Sequence, residues 1–580
     1  MAYGGLFYAP EHMTMAGLIK GAGRRLGRHA VWADNAISDG GAVAFACGHL
    51  RNAKALAHDL RRAGMKFTDA PTNDELALAA YRQWGTDYPL HLEGPIASGV
   101  IDCDAKLLML SADRMGECSV YYTYQNGAIG FADHIEPLLE SGVASRSVDA
   151  DGLRELFGLG PAMTPGMTPF RDIRLIPSGT TLVATEQGHA LHRYFNLGIR
   201  EHEHDERQTI AHVRHLLEQA MDDLPTRGAA CMLSGGLDST ILAAMLEARS
   251  SAPISSWSVD YQENERFFEN NGYQIERDRP YIDQAVELLG ADHHLIMLNS
   301  KDLVDSLYEA MALRGLPGMG DIDSSLLLFA KAIGAEHSRV ISGECADEVF
   351  GGYPWFVRED LINKDGFAWS GSMALRERIL KPSLRDKLQL SRYVCDRYRA
   401  SIRELQPCAD GDGREARLIG LHGLCMQWFM PNLQRRAQYM CAGAGLQVLT
   451  PYCDDRLAQY VYNVPWAMKQ LGGQEKGLLR AAARDLLPDA LLYRKKSPYP
   501  KTNHPQYAAL MRAKVRGLLR DGASPILALI DRDEVERICA SELRAVDVPW
   551  FGQLMAGAQL LSYLAQLNDW MVRYRIEIVD

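Results

Sequence analysis

The sequence predicts a multidomain α/β protein: a β-rich N-terminal part of packed antiparallel sheets, then a parallel sheet alternating with helices, and a helical C-terminal region. Three observations carry this. The chain has 580 residues, more than one hydrophobic core accommodates. Short β-prone runs fill the first part, whereas strand and helix patterns alternate beyond about residue 205. In that second part, two turns rich in glycine and acid follow apolar runs, the place where open parallel sheets bind ligands.

In chain order, the β-prone runs are Val43–Ala46, Leu107–Leu110, Val120–Tyr124, Ala128–Ala132 and Thr180–Ala184. Asn126-Gly127 and Pro177-Ser178-Gly179 are turns, and Asp74–Trp84 has a helical pattern. The charge-dense Arg200–Arg207 (REHEHDER) is a junction, which places domains at 1–200 and 205–580. Ala229–Leu233 is a strand ending in a glycine turn. Ser239–Arg249 follows as a helix with Ile241, Ala244 and Met245 on one face. Ser255–Tyr261 is a strand, and Pro280–Leu289 is a helix with proline in its first turn. Leu295–Leu298 and Arg339–Ile341 are further strands, and from Leu361 the chain is mostly helical.

Composition excludes several classes. A net charge of −11 gives no basic field for nucleic acid. No apolar run approaches the length of a membrane span, and Met1–Ala30 lacks a signal pattern, so no membrane association is expected. The eleven cysteines contain no C-x-x-C pair, which favours reduced thiols and a cytoplasmic setting. His293-His294 has no partner spacing for a metal and reads as an ordinary pair before a strand. Lys381–Arg403 reads as an exposed helix face, with substrate recognition as the alternative. The polar loop Gln262–Arg279 is either a solvated connection or a lid.

Three blocks carry chemistry. Ser234-Gly235-Gly236-Leu237-Asp238-Ser239 lies between a strand and a helix. Adjacent glycines allow a tight turn whose N–H groups converge, and the helix N-terminus adds positive potential. With the hydroxyls of Ser234 and Ser239 this makes a pyrophosphate cradle. Asp238 would repel phosphate directly, so it reads as a Mg²⁺ ligand. The hexapeptide looks like the signature of the ATP pyrophosphatases, which cleave between the α and β phosphates. It differs from the lysine-bearing loop that serves a γ-phosphate. The second block runs from Ser342 to Tyr353 and places Glu344, Asp347 and Glu348 within five residues. Such crowding requires solvent or a cation. The third, Tyr493–Thr502, is basic, and its prolines fix a non-helical path.

With these blocks the chain resembles the asparagine synthetase (glutamine-hydrolysing type) family, best from Thr209 onward. Leu316–Leu328, Gly351–Phe356, Pro465–Leu479, Arg494–Thr502 and Pro549–Trp570 also carry the resemblance. It implies an N-terminal Ntn-hydrolase-like αββα sandwich and an ATP pyrophosphatase domain. It further implies ATP and Mg²⁺, small-molecule acid and amine substrates, and compatibility with a homodimer. By position, Ser234, Gly235, Gly236, Asp238 and Ser239 match the pyrophosphate loop. Leu233 and Val259 match positions around adenine, and Ser342 and Gly343 match nucleotide contacts. Asp238 and Asp347 match the magnesium carboxylates, Glu344 the glutamate that handles the attacking amine, and Lys496 the charge-steadying lysine. Activating a carboxylate as acyl-AMP brings two anions together, which independently calls for a cation.

The N-terminal part follows the family only in outline, including Trp84-Gly85 and Asp113-Arg114-Met115-Gly116. The family opens Met-Cys-Gly with a cysteine nucleophile, whereas this sequence opens Met1-Ala2-Tyr3-Gly4, and its first cysteine is Cys47. The glutamine-gripping Asn-Gly-Glu aligns with Cys47-Gly48-His49, and Ser-Asp-Thr-Glu with Thr72-Asn73-Asp74-Glu75. The stretch before Cys47 is too short for the arginine-bearing loop. The expectation is an inactive glutaminase and an amine from elsewhere, in specialised metabolism such as antibiotic biosynthesis. This pattern resembles β-lactam synthetases, carbapenam synthetases and lasso-peptide cyclases, the last implying a peptide substrate. Glu344 stands where the clavam and carbapenam types align a tyrosine, which looks more like intermolecular amidation. An ammonia-dependent asparagine synthetase and a nucleotide-binding scaffold are the other readings.

Overall fold

The computed structural model describes residues 3–7, 24–26, 29–33, 36–125, 127–270, 275–405, 413–546 and 548–580. Met1-Ala2, Asn126 and residues 271–274 of the polar loop lie outside them. The chain divides into two compact units. One comprises Met1–Gly152, Met163–Leu197 and Ile576–Asp580, the other Leu153–Ala162 and Gly198–Arg575.

The first unit holds two six-stranded sheets, all of whose pairings are antiparallel. The strand Ala42–Gly48 shows how the layers arise. Its sequence AVAFACG has no polar face, so both faces must be covered. Val43, Phe45 and Cys47 pack with Tyr3, Phe7 and Phe131 of the other sheet. Ala42, Ala44 and Ala46 pack with Leu56, Leu60 and Leu76 of the helices Ala53–Arg62 and Asn73–Trp84. Burying a side chain the size of Phe45 contributes about 1.5–3 kcal/mol. The second helix begins with a capping box: Thr72 Oγ1 accepts from the Glu75 N–H at 3.2 Å, and Glu75 Oε2 from the Thr72 N–H at 2.9 Å. The strands Tyr3–Phe7 and Ile96–Asp102 have no counterpart in the sequence reading. Both are buried along their whole length, so they lack the alternation that marks a half-exposed strand.

The second unit holds a five-stranded parallel sheet in the order Asp292–Leu298, Ser255–Tyr261, Ala230–Met232, Arg339–Ile341, Gln447–Leu449. The strand order reverses between Ala230–Met232 and Arg339–Ile341, which pair directly, Ala230 with Val340 and Cys231 with Ile341. That is the switch point where such sheets open a crevice at their carboxyl ends. His293 and His294 lie within the strand Asp292–Leu298 rather than before it. His293 Nδ1 pairs with Ser256 Oγ at 2.9 Å, and the His294 ring stacks on Trp257 at 4.3 Å. Lys381–Arg403 falls in two helices, Pro382–Leu388 and Leu390–Leu405.

Lys469 is a buried cation within this unit. Its Nζ donates to the Tyr462 carbonyl at 3.1 Å, sits 3.3 Å from His422 Nδ1 and lies 4.7 Å above the Trp466 ring. Burial pushes its ammonium from 10.5 down to about 7. Between those values the unfolded chain holds a proton that the folded chain has released, so stability rises with pH across about 7 to 10.5. The slope from this group reaches at most about 1.4 kcal/mol per pH unit. Lys469→Met should flatten that rise, as read by chemical denaturation at a series of pH values.

Candidate active site

The turn after Ala230–Met232 is shaped by its first glycine. Gly235 has φ +64°, and a Cβ there would lie 2.6 Å from the Ile282 nitrogen. Ser234 Oγ and Ser239 Oγ pair at 3.0 Å, and the Gly236 N–H donates to Ser234 Oγ at 3.3 Å. The helix Leu237–Glu247 starts at Gly236 with no side-chain cap, so its first N–H groups stay available to an anion. Leu233 and Val259 are buried at the strand ends, and the Leu233 N–H donates to the Trp257 carbonyl at 2.8 Å. The neighbouring strand delivers Ser342, whose N–H bonds the Leu449 carbonyl at 2.9 Å, and Gly343, which presses against Ser239.

Where the two turns meet, one side chain joins both aspartates. Lys476 Nζ lies 2.5 Å from Asp238 Oδ2 and 2.6 Å from Asp347 Oδ1, and Lys476 is only 2% exposed. Lys496 Nζ bonds the other oxygen of Asp347 and lies 5.9 Å from the Tyr353 ring centroid. Burial would raise the Asp347 carboxyl, but the ammoniums of Lys476 and Lys496 outweigh it and hold it well below the usual range. Burial works against charge on Lys496 too, and Asp347 and Asp238 hold its ammonium above the ordinary value. Gly352 makes the cluster possible: a Cβ there would come within 2.1 Å of both Asp347 Oδ1 and Lys476 Cε. Glu344 stands beside this cluster, its carboxyl raised by burial and partly restrained by Arg436. Glu348 is pushed up to about 8 by burial and by Asp347, and accepts from Tyr353 Oη at 2.7 Å.

The basic block is held by buried arginines. Arg494 donates to the Ser234 carbonyl at 3.2 Å, pairs with Asp278 and lies 4.2 Å from the Tyr281 ring centroid. Arg480 bonds the Arg494 carbonyl at 3.1 Å and Glu475 Oε1 at 3.0 Å. One cavity of about 220 Å³ is lined by every residue to which the sequence assigns a nucleotide, metal or catalytic role except Gly235, which lies in the loop itself. Lys476 and Arg436 carry no role in the sequence reading. Lys476 falls in a stretch marked only for its resemblance, and Arg436 falls in a helical region without a local motif.

A magnesium ion fits this donor set. Asp238 Oδ1 is buried without a hydrogen bond, and Asp347 Oδ1 lies near Lys476 but out of hydrogen-bond alignment. Among the described residues no group of three or more His, Cys, Asp or Glu could hold a metal, so phosphate and water would have to supply the remaining ligands of such an ion.

The asparagine synthase family model matches residues 212–572, and a glutamine amidotransferase domain matches residues 36–195. Asparagine synthetase [glutamine-hydrolyzing] 3 of Bacillus subtilis is 39% identical over 92% of this chain and 87% of its own length. The chain belongs to the asparagine synthase family. Asparagine synthetase [glutamine-hydrolyzing] 1 of the same organism is 22% identical over 84% of this chain and 80% of its own length. Amidase chyE of Penicillium rubens is 27% identical over 52% of this chain and 46% of its own length. An asparagine synthase fold joins an Ntn-type amidotransferase domain to a parallel-sheet synthase domain, which is the pair of architectures described above. Membership supports a ligase that forms carbon–nitrogen bonds, and asparagine synthetases use ATP as a substrate. Among the described residues no helix is long and apolar enough to cross a membrane.

Proposed function

We propose that this enzyme adenylates a carboxylic acid and couples it to an amine that does not come from its own glutamine hydrolysis. The observation that carries this is the convergence of Asp238, Asp347, Lys476 and Lys496 where the two motif turns adjoin, with Glu344 beside them. The turn at Ser234 and the following helix start receive the β- and γ-phosphates. Asp238 and Asp347 would hold Mg²⁺, which neutralises phosphate charge when bound. Lys496 steadies the charge shared by the attacking carboxylate and the α-phosphate. Glu344 receives the amine and takes its proton, and burial makes its carboxylate more basic.

Inactivity of the amidotransferase domain draws support from its own packing. Cys47 is buried in the core between the sheets. Asp74 is only 4% exposed and accepts from the Ala46 N–H at 2.9 Å, a scaffold contact. Asn73 Nδ2 likewise donates to the Gly48 carbonyl at 3.2 Å.

A second reading, synthesis of asparagine from aspartate and free ammonia, is favoured by the 39% identity to a Bacillus asparagine synthetase. Incubation with ATP, Mg²⁺ and panels of acids and amines tests the proposal. AMP and pyrophosphate should appear in equal amounts, and glutamine should yield no glutamate. Formation of ADP would overturn adenylation, and asparagine from aspartate with ammonium would establish the second reading.

A further inference from the structure

One face of the helix Met430–Gly443, extended back to Phe429, lines the cavity: Phe429, Leu433, Arg436, Ala437 and Cys441. Steps of three and four residues, from Phe429 to Leu433, from Leu433 to Arg436 or Ala437, and from Ala437 to Cys441, put them on one stripe. Arg436 is the one charge on that stripe. It is only 3% exposed, its Nε is buried without a hydrogen bond, and among the described residues its guanidinium has no ion pair. Its recorded contact is the Tyr499 ring, 4.9 Å from the centroid. The carboxylates that face it are Glu344 and Asp323. Those two carboxylates hold its charge above the ordinary value despite burial, and the buried Nε still lacks the acceptor that a ligand oxygen would supply.

The other carboxylates on the cavity wall are occupied. Asp238 and Asp347 are held by Lys476, Asp278 by Arg494, Glu348 by Tyr353 and Glu475 by Arg480. Glu344 alone remains, and the proposed function commits it to the amine. No wall carboxylate is then left for the α-ammonium of an amino-acid substrate. The surroundings are apolar instead: Tyr353 meets Phe429 at 5.3 Å, and Leu433 and Leu554 continue the wall.

We infer that Arg436 docks the carboxylate that is activated, and that the stripe Phe429–Leu433–Ala437 takes an apolar body, so that the acyl substrate is an aryl or alkyl carboxylic acid without an α-ammonium. This rests on the adenylation reading for the fate of the carboxylate, but not for its binding. The test is calorimetric titration of the full chain with 3-phenylpropionate, octanoate, aspartate and the uncharged 3-phenylpropanol, with and without ATP and Mg²⁺. Phenylpropionate or octanoate should saturate, and aspartate and the alcohol should not. Arg436→Met should weaken the acid on the order of tenfold to a hundredfold, the range of a hydrogen bond to a charged group. Arg436→Lys, which keeps the charge that faces Glu344 and Asp323, should recover part of the acid affinity, whereas a loss of acid affinity matched by an equal loss of ATP binding would mark a merely structural arginine and overturn the inference. Leu433→Asp should abolish binding of the apolar acids while leaving ATP binding intact. Aspartate binding in place of the apolar acids, no binding of any acid, or equal affinity in Arg436→Met would each overturn the inference. Pyrophosphate exchange into ATP separates the two levels. Acid binding without exchange would strike the adenylation reading and leave the subsite standing. Exchange with aspartate alone would do the reverse.

Discussion

Lys496→Met should slow acid-dependent pyrophosphate release by on the order of 10²–10³, with nucleotide binding largely retained. The lysine reaches the site from the basic block, and its ammonium is fixed on Asp347 before substrate arrives. A donor already in place costs nothing to reorganise when charge builds on the reacting oxygens, which is why its loss falls on the chemical step. Lys496→Arg is the informative control. It keeps the charge but replaces a compact ammonium by a planar fork, beside a Tyr353 ring 5.9 Å away that limits its room. Single-turnover measurement of AMP formation reads the effect. A change confined to KM would show that Lys496 only helps to bind ATP.

Lys476→Met should destabilise the fold by about 3–5 kcal/mol, the cost of removing one partner from a buried ion pair. The reason is the arrangement of charge. Among the described residues Lys476 is the one cation in an ion pair with Asp238, at 2.5 Å, and it shares Asp347 with Lys496. Without it Asp238 keeps a negative charge in a largely enclosed place, with one oxygen already lacking a hydrogen bond. Urea denaturation should show a lower midpoint at an unchanged m-value. Asp238→Asn in the same chain should recover part of the loss, because it removes the charge left without a counter-ion. Mg²⁺ should also stabilise Lys476→Met more than the parent chain, by supplying the missing positive charge. An undiminished midpoint in Lys476→Met would show that the cluster draws its stability elsewhere.

Both predictions turn on side chains that differ in how visible they were. Asp238 and Asp347 sit in turns announced by their neighbours: an apolar run, then glycines, then acid. Lys496 stands in a basic block that alone would pass for a surface loop, and only resemblance gave it a role. Lys476 has a positive φ and 2% exposure, features that no sequence pattern displays. Arg436 lies in a helix whose cavity-facing stripe cannot be told from an ordinary core stripe, because burial against a wall and burial against a cavity produce the same spacing. The strand Gln447–Leu449 escaped notice because three residues are too few to show a period.

The sequence by itself determined the local geometry: a tight phosphate-sized turn before a helix, an acidic turn after a second strand, and a change from β-rich to alternating structure near residue 205. These are short-range effects of glycine, strand and helix propensities, written within a few residues. Only the tertiary structure decided that the strands Ala230–Met232 and Arg339–Ile341 lie side by side, and that Lys476 bridges the acids they carry. It alone placed Arg436, with its Nε buried and without a hydrogen bond, in the same cavity. Strand order and burial depend on packing between segments more than a hundred residues apart, and no local pattern along the chain encodes that choice.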